Sequence, residues 1–172
     1  MTMHGPGDME DERWLQVVIV DDHVLVRKGI RSILGGYGDI QVVGEASNGI
    51  EAIMLMERLH PSIVLMDVNM PKMDGVEATA QIRSRYPDTI IIGLSVNPNQ
   101  NNQETMTRVG AVGLIPKEEA GDRLYDAIHD AVQSRSTSGR PWLPPQVGLD
   151  NKDETARGFP SNSVRSWPPH TP

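Results

Sequence analysis

The sequence predicts an α/β fold, a parallel sheet assembled from five βα units. From Trp14 to about Ser134, short β-branched runs alternate with amphipathic stretches. The runs are apolar on both faces, the pattern of strands covered by helices on either side. They also end alike. Val17-Val18-Ile19-Val20 stops at Asp21-Asp22, Ile63-Val64-Leu65-Met66 at Asp67, a third run at Ser95, and Val112-Gly113-Leu114-Ile115 just before Lys117. Open parallel sheets place their ligand chemistry beyond the C-terminal ends of the strands, so these side chains are expected on one rim.

Taken in order, the strands are expected over Gln16–Val20, Ile40–Ala46, Ile63–Met66, Thr89–Leu94 and Val112–Ile115. Leu25, Ile30, Ile33 and Leu34 give the first helix an apolar stripe, and Gly35-Gly36 supply the backbone freedom to end it. Ala52, Ile53, Met56 and Leu59 stripe the second, which stops before Pro61 because the residue preceding a proline avoids the helical region. Val76, Ala80 and Ile82-Arg83 build the third, with Pro87 as its stop. The fourth, from Pro98 to Val109, offers only Met106 and Val109 to a core and is expected to be the least stable part of the fold. A last helix covers about Ala120–Ser134.

The organisation is then a disordered arm over residues 1–13, one domain over 14–135, and a tail over 136–172. The arm carries glycines and acids without periodicity. The tail holds seven of the thirteen prolines, too dense for regular ladders, and is expected to be extended or disordered, although Trp142 and Leu143 could fold back on the domain. With 38% hydrophobic residues the chain supports one core of ordinary size. A net charge of −7 without a basic stripe argues against a general nucleic-acid surface, which needs clustered Lys and Arg to displace counterions. The absence of cysteine removes disulfides and thiol chemistry, and with no signal peptide or long apolar run the chain is expected to be cytoplasmic, without a membrane partner.

Each polar strand end has an ordinary reading when taken alone. Asp22 could cap the helix from Val24, Asp67 could start a turn, Ser95 could be a loop hydroxyl and Lys117 a solvated charge. Their joint occurrence at four strand ends is harder to dismiss. Asp21, Asp22 and Asp67 crowded at one rim raise one another's pKa unless a cation neutralises them. Hard oxygen ligands with room left for water and phosphate suit Mg2+ better than zinc. Asp67 can then attack a phosphoryl group, with Lys117 and Ser95 holding its other oxygens. His23, beside the acid pair, is expected to shape the helix terminus or face solvent. Met66, Met70 and Met73 are expected to pack.

The chain resembles the receiver domain of bacterial two-component response regulators. The motifs are Val20-Asp21-Asp22-His23, Leu65-Met66-Asp67-Val68-Asn69-Met70-Pro71-Lys72-Met73-Asp74-Gly75, Leu94-Ser95, and Gly110-Ala111-Val112-Gly113-Leu114-Ile115-Pro116-Lys117. The resemblance implies a CheY-like, flavodoxin-like doubly wound sheet in the order 2-1-3-4-5 with helices on both faces. It implies that Asp67 is the phosphoacceptor for a sensor histidine kinase. It gives Mg2+ the ligands Asp22, Asp67 and the Asn69 backbone carbonyl, with Asp21 acting through water, and makes Ser95 and Lys117 the phosphate-binding and switch residues. Asn69 and Asn97, each two residues past a strand end, flank the path of an attacking water and are expected to tune the lifetime of the phosphate. No turnover of a separate substrate is expected. Partners would be the kinase and a second regulator, in a homodimer or heterodimer.

The wording around Asp21-Asp22-His23, Val43-Gly44-Glu45-Ala46-Ser47-Asn48-Gly49 and Ile115-Pro116-Lys117 is most similar to the LuxR/NarL-type subfamily, which usually carries a C-terminal helix-turn-helix. Nothing after Arg135 has the periodicity or basic residues of that motif, so direct DNA binding by this chain is not expected. Leu114 stands where the family usually has Phe or Tyr, which removes the usual aromatic coupling. These two departures motivate an alternative expectation, a phosphate-independent binding module that modulates a full-length regulator.

Overall fold

Strands that are apolar on both faces require helices on both sides, and the chain folds that way. A computed structural model describes residues 14–137, with side chains through 135. The elements are β1 (Leu15–Val20), α1 (Val24–Leu34), β2 (Ile40–Ala46), α2 (Gly49–Leu59), β3 (Ile63–Asp67), α3 (Gly75–Arg85), β4 (Ile90–Ser95), α4 (Gln100–Arg108), β5 (Gly113–Pro116), a single 3-10 turn (Lys117–Glu119) and α5 (Ala120–Thr137). All strand pairs are parallel, in the order β2-β1-β3-β4-β5.

The period of two along each strand sorts the core into two layers. Val17, Ile19, Ile63, Leu65, Ile90 and Ile92 pack with Ile30 and Leu34 of α1 and Leu124 and Ile128 of α5. Val18, Val20, Val64, Met66 and Ile91 pack with Ala52 and Met56 of α2, Ala78 and Ile82 of α3, and Met106 of α4. Strand order reverses between β1 and β3, which opens a crevice at their C-terminal ends, the topological switch point where such sheets bind ligands.

Several sequence expectations need correcting. The ends of β1, β3, β4 and β5 and of α5 differ by one to three residues from those expected, and Val112 precedes β5 and is 51% exposed. Leu25 is 82% exposed, and Ala80 is also exposed; the core face of α3 is Ala78, Thr79 and Ile82. Periodicity gives the existence of a stripe but not the helix's rotation about its axis. The Gly35-Gly36 pair ends α1 without left-handed backbone, Gly35 having φ −64°. In α2 the stop before Pro61 holds, but His60 takes the left-handed conformation at φ 44°. The N–H of His60 thereby closes on the Met56 carbonyl. Helix α5 runs to Thr137, into the segment assigned to the tail; the arm and residues 138–172, with Trp142 and Leu143, lie outside the described residues. Among the described residues no helix is long and apolar enough to cross a membrane.

Candidate functional site

Four strand ends bring the site together. Asp21 directly follows β1 and is fully buried, Asp67 is the last residue of β3 and Ser95 the last of β4, both buried, and Lys117 directly follows β5. Parallel register places Asp67 opposite Leu94 and Leu94 opposite Ile115, so the polar tips emerge at one level.

The Lys117 ammonium lies 2.6 Å from Asp21 Oδ2 and 3.0 Å from Asp67 Oδ2. It bridges the two buried acids as an ion pair. Asp67 Oδ1 accepts the Asn69 N–H at 3.2 Å, and Ser95 Oγ accepts the Asn97 N–H at 3.2 Å. The Asn69 and Asn97 side chains are exposed beside the site. Asp22 is half-buried and does not cap α1: His23 holds the N-cap position without a side-chain cap bond. Instead the His23 N–H donates to Asp21 Oδ1 at 2.8 Å, and its ring Nδ1 lies 3.2 Å from Asp21 Oδ1 and 3.0 Å from Asp22 Oδ1. The ring, 64% exposed, thus closes the outer side of the acid pair. The Asp21-to-His23 bond is an Asx-turn, a signal present in the sequence that the strand-end pattern alone does not single out.

Burial, and then the charge of Asp21, push the Asp67 carboxyl up from 3.8 to about 6, against the opposing pull of Lys117 and the Asn69 N–H. For Lys117 burial acts downward, but the Asp21 and Asp67 carboxylates outweigh it and hold the ammonium above its ordinary value. Three carboxylates therefore face one fixed cation. One donor atom each from Asp21, Asp22, His23 and Asp67 lie within 4.8 Å of one another. Of the buried oxygens in this set, Asp21 Oδ2 faces the Lys117 ammonium at 2.6 Å and Asp22 Oδ1 faces the His23 ring at 3.0 Å. Oxygen-rich surroundings with more carboxylates than fixed cations fit a hard divalent cation. The residues present therefore suit Mg2+.

The loop after β3 is held against the site by close backbone packing. The Gly75 N–H donates to the Val68 carbonyl at 3.0 Å, and a Cβ on Gly75 would fall 1.9 Å from the Asp67 carbonyl oxygen. Asp74 caps α3 by accepting the Glu77 N–H at 2.9 Å. Leu114 is half-buried and sits over the bare backbone of Gly93, where an added Cβ would be 2.6 Å from its Cδ1.

The family profile described as "Response regulator receiver domain" matches residues 17–129. The chain is 36% identical over 141 residues to the transcriptional regulatory protein DegU of Brevibacillus brevis, covering 82% of this chain and 58% of the relative. It is 34% identical over 124 residues to the nitrate/nitrite response regulator protein NarL of Escherichia coli K12, covering 72% of this chain and 57% of the relative. It thus spans under two thirds of the length of these relatives. Among solved structures, the signal receiver domain of a NarL response regulator from Mycobacterium tuberculosis superposes with a TM-score of 0.66 at 30% identity, covering 74% of this chain and 99% of that one.

Proposed function

Because this chain belongs to the response-regulator receiver family, we propose that it is a phosphorylation-controlled signalling module that accepts a phosphoryl group on Asp67 from the phosphohistidine of a sensor kinase in the cytoplasm. The observation that carries this reading is the Lys117 ammonium bridging Asp21 and Asp67 at the C-terminal rim of the sheet. In the transfer, a carboxylate oxygen of Asp67 forms the new O–P bond as the P–N bond of the donor breaks, and the departing imidazole takes a proton from water. Asp67 must be ionised for this, and a carboxyl poised near 6 is largely so at neutral pH. Asp22, Asp67 and the Asn69 backbone carbonyl would hold Mg2+, with Asp21 acting through water; the ion would offset the charge of the transferring phosphoryl oxygens. Lys117 turns from the carboxylates to a phosphoryl oxygen, and the Ser95 hydroxyl donates to another. Movement of the β4 end carries the α4 side of the domain with it, which changes the surface offered to a partner. The exposed Asn69 and Asn97 side chains set how readily water reaches the acyl phosphate, whose hydrolysis is the module's own reset rather than turnover of a separate substrate.

Acetyl phosphate with Mg2+ should label the wild type and leave Asp67→Asn unlabelled. Labelling that persists in Asp67→Asn would end this reading. Downstream partners under it are a second copy of the chain or another regulator.

A second reading, a phosphate-independent module that modulates a full-length regulator, is favoured by Leu114. A leucine seated over Gly93 cannot supply the aromatic rotamer change that usually couples such sites to their surface. Under this reading, phosphodonor changes neither oligomeric state nor partner affinity in sedimentation or calorimetry. Under the first it changes at least one.

A further inference from the structure

Arg27, on α1, is a guanidinium whose hydrogen bonds reach the main chain of the acid pair. Its Nη1 donates to the Asp21 carbonyl oxygen at 2.6 Å and its Nε to Glu45 Oε2 at 3.0 Å. The other Glu45 oxygen accepts Arg31 Nε at 2.6 Å. Glu45 lies on β2, paired with Ile19 of β1, and the Asp21 N–H donates to the neighbouring Ala46 carbonyl at 3.0 Å. Asp21 is therefore tied to β2 at both ends of its backbone, directly through its N–H and through Arg27 and Glu45 at its carbonyl.

That carbonyl belongs to the peptide plane joining Asp21 to Asp22. Rotating the plane would re-aim the Asp22 carboxylate relative to that of Asp21, because the peptide unit is rigid and the dihedrals on either side are the soft coordinates. Arg27 is 14% exposed, so its two bonds are sheltered from competing water. A planar fork can serve both acceptors at once, which a lysine ammonium on a flexible stem does less well. Arg27 thus links Glu45 of β2 to the peptide whose orientation sets the spacing of two candidate metal ligands.

We propose that Arg27, braced by Glu45, is a positioning residue that fixes the Asp21–Asp22 peptide in the orientation that binds the divalent cation. This inference rests on the function proposed above and adds a requirement to it. Outer partners of metal ligands typically contribute tenfold to a hundredfold in affinity, and the same scale is expected here.

The test titrates Mn2+ into the full-length protein, with the free ion followed by electron paramagnetic resonance, for the wild type, Arg27→Met, Arg27→Lys and Glu45→Gln. Arg27→Met should bind Mn2+ about tenfold or more weakly than wild type while keeping a cooperative melting transition, with Arg27→Lys and Glu45→Gln in between. Acetyl phosphate labelling of Arg27→Met should need more Mg2+ for half-maximal rate and regain the wild-type rate at saturation; a general loosening of the domain would lower the rate at all Mg2+ concentrations and overturn the assignment. Wild-type Mn2+ affinity in the folded variants also overturns it, leaving the function itself intact. Failure of the wild type to bind Mn2+ overturns both. If Arg27→Met does not fold, Arg27→Lys and Glu45→Gln decide the matter by the same criteria.

Discussion

At neutral pH the metal-free domain is destabilised by the charge on Asp67, and Asp67→Asn should relieve it. The side chain is buried, and its carboxyl is raised from 3.8 to about 6 by that burial and by the neighbouring Asp21. At about 1.4 kcal/mol for each tenfold change in proton affinity, this is roughly 3 kcal/mol. The sign follows from linkage. Below pH 4 both folded and unfolded chains hold the proton and there is no penalty; between about 4 and 6 the unfolded chain releases it while the folded chain does not; above 6 the penalty is complete. Asparagine keeps the size and the oxygen that accepts the Asn69 N–H, but its amide faces the Lys117 ammonium, a mismatch of about 1 kcal/mol. The net expectation is a variant about 2 kcal/mol more stable than wild type at pH 7.5 in chelator, the difference shrinking to zero or reversing by pH 4. Urea unfolding at several pH values measures it. Mg2+ at a hundred times its dissociation constant should then stabilise wild type by about 2.7 kcal/mol and the variant by far less. A difference that does not change with pH, or a wild type more stable than Asp67→Asn in chelator at pH 7.5, would refute the reasoning.

Other outcomes follow from the same contacts. Lys117→Met removes the cation from two buried acids and should cost about 3–5 kcal/mol in chelator, much of it restored by Mg2+ in the same urea assay. Gly75→Ala drives a Cβ into the Asp67 carbonyl and should cost roughly 1–3 kcal/mol or more and slow labelling by acetyl phosphate; Gly113→Ala, where the Cβ meets open space, serves as the control with little effect on either. Glu45 is held below its ordinary 4.5 chiefly by Arg31 and then Arg27, so its stabilising contribution is present above pH 4.5 and lost as pH falls through its lower folded value. The stability gap between wild type and Glu45→Gln should therefore close on acidification.

The sheet and the rim of the site could be read from the sequence because both depend on short-range pattern. Short apolar runs bounded by turn residues mark the strands, and a parallel sheet places whatever follows each run on the same edge, so Asp21, Asp67, Ser95 and Lys117 are predictable as neighbours from the chain alone. Helix orientation was less accessible. Leu25 and Ala80 fit a periodic stripe yet face solvent, since a few apolar residues per helix leave its rotation to be settled by packing against the sheet. The ties that adjust the site were the least visible. Arg27 acts on a backbone carbonyl, and a main-chain acceptor leaves no mark in the sequence. The same holds for Gly75, whose role is set by the approach of the Asp67 backbone in a folded loop. His60 shows the opposite case: the proline after it marks the end of α2, while its left-handed backbone is chosen by the cap bond to Met56.

The most direct test of phosphoryl acceptance at Asp67 is to trap the acyl phosphate chemically. Protein incubated with acetyl phosphate and Mg2+ is reduced with borohydride, which converts an aspartyl phosphate to homoserine, and the peptides are mapped by mass spectrometry. The account predicts homoserine at position 67, dependent on Mg2+ and on phosphodonor. Homoserine at Asp21, Asp22 or Asp74 with none at 67, or stable phosphate found on Ser95 instead, would contradict it.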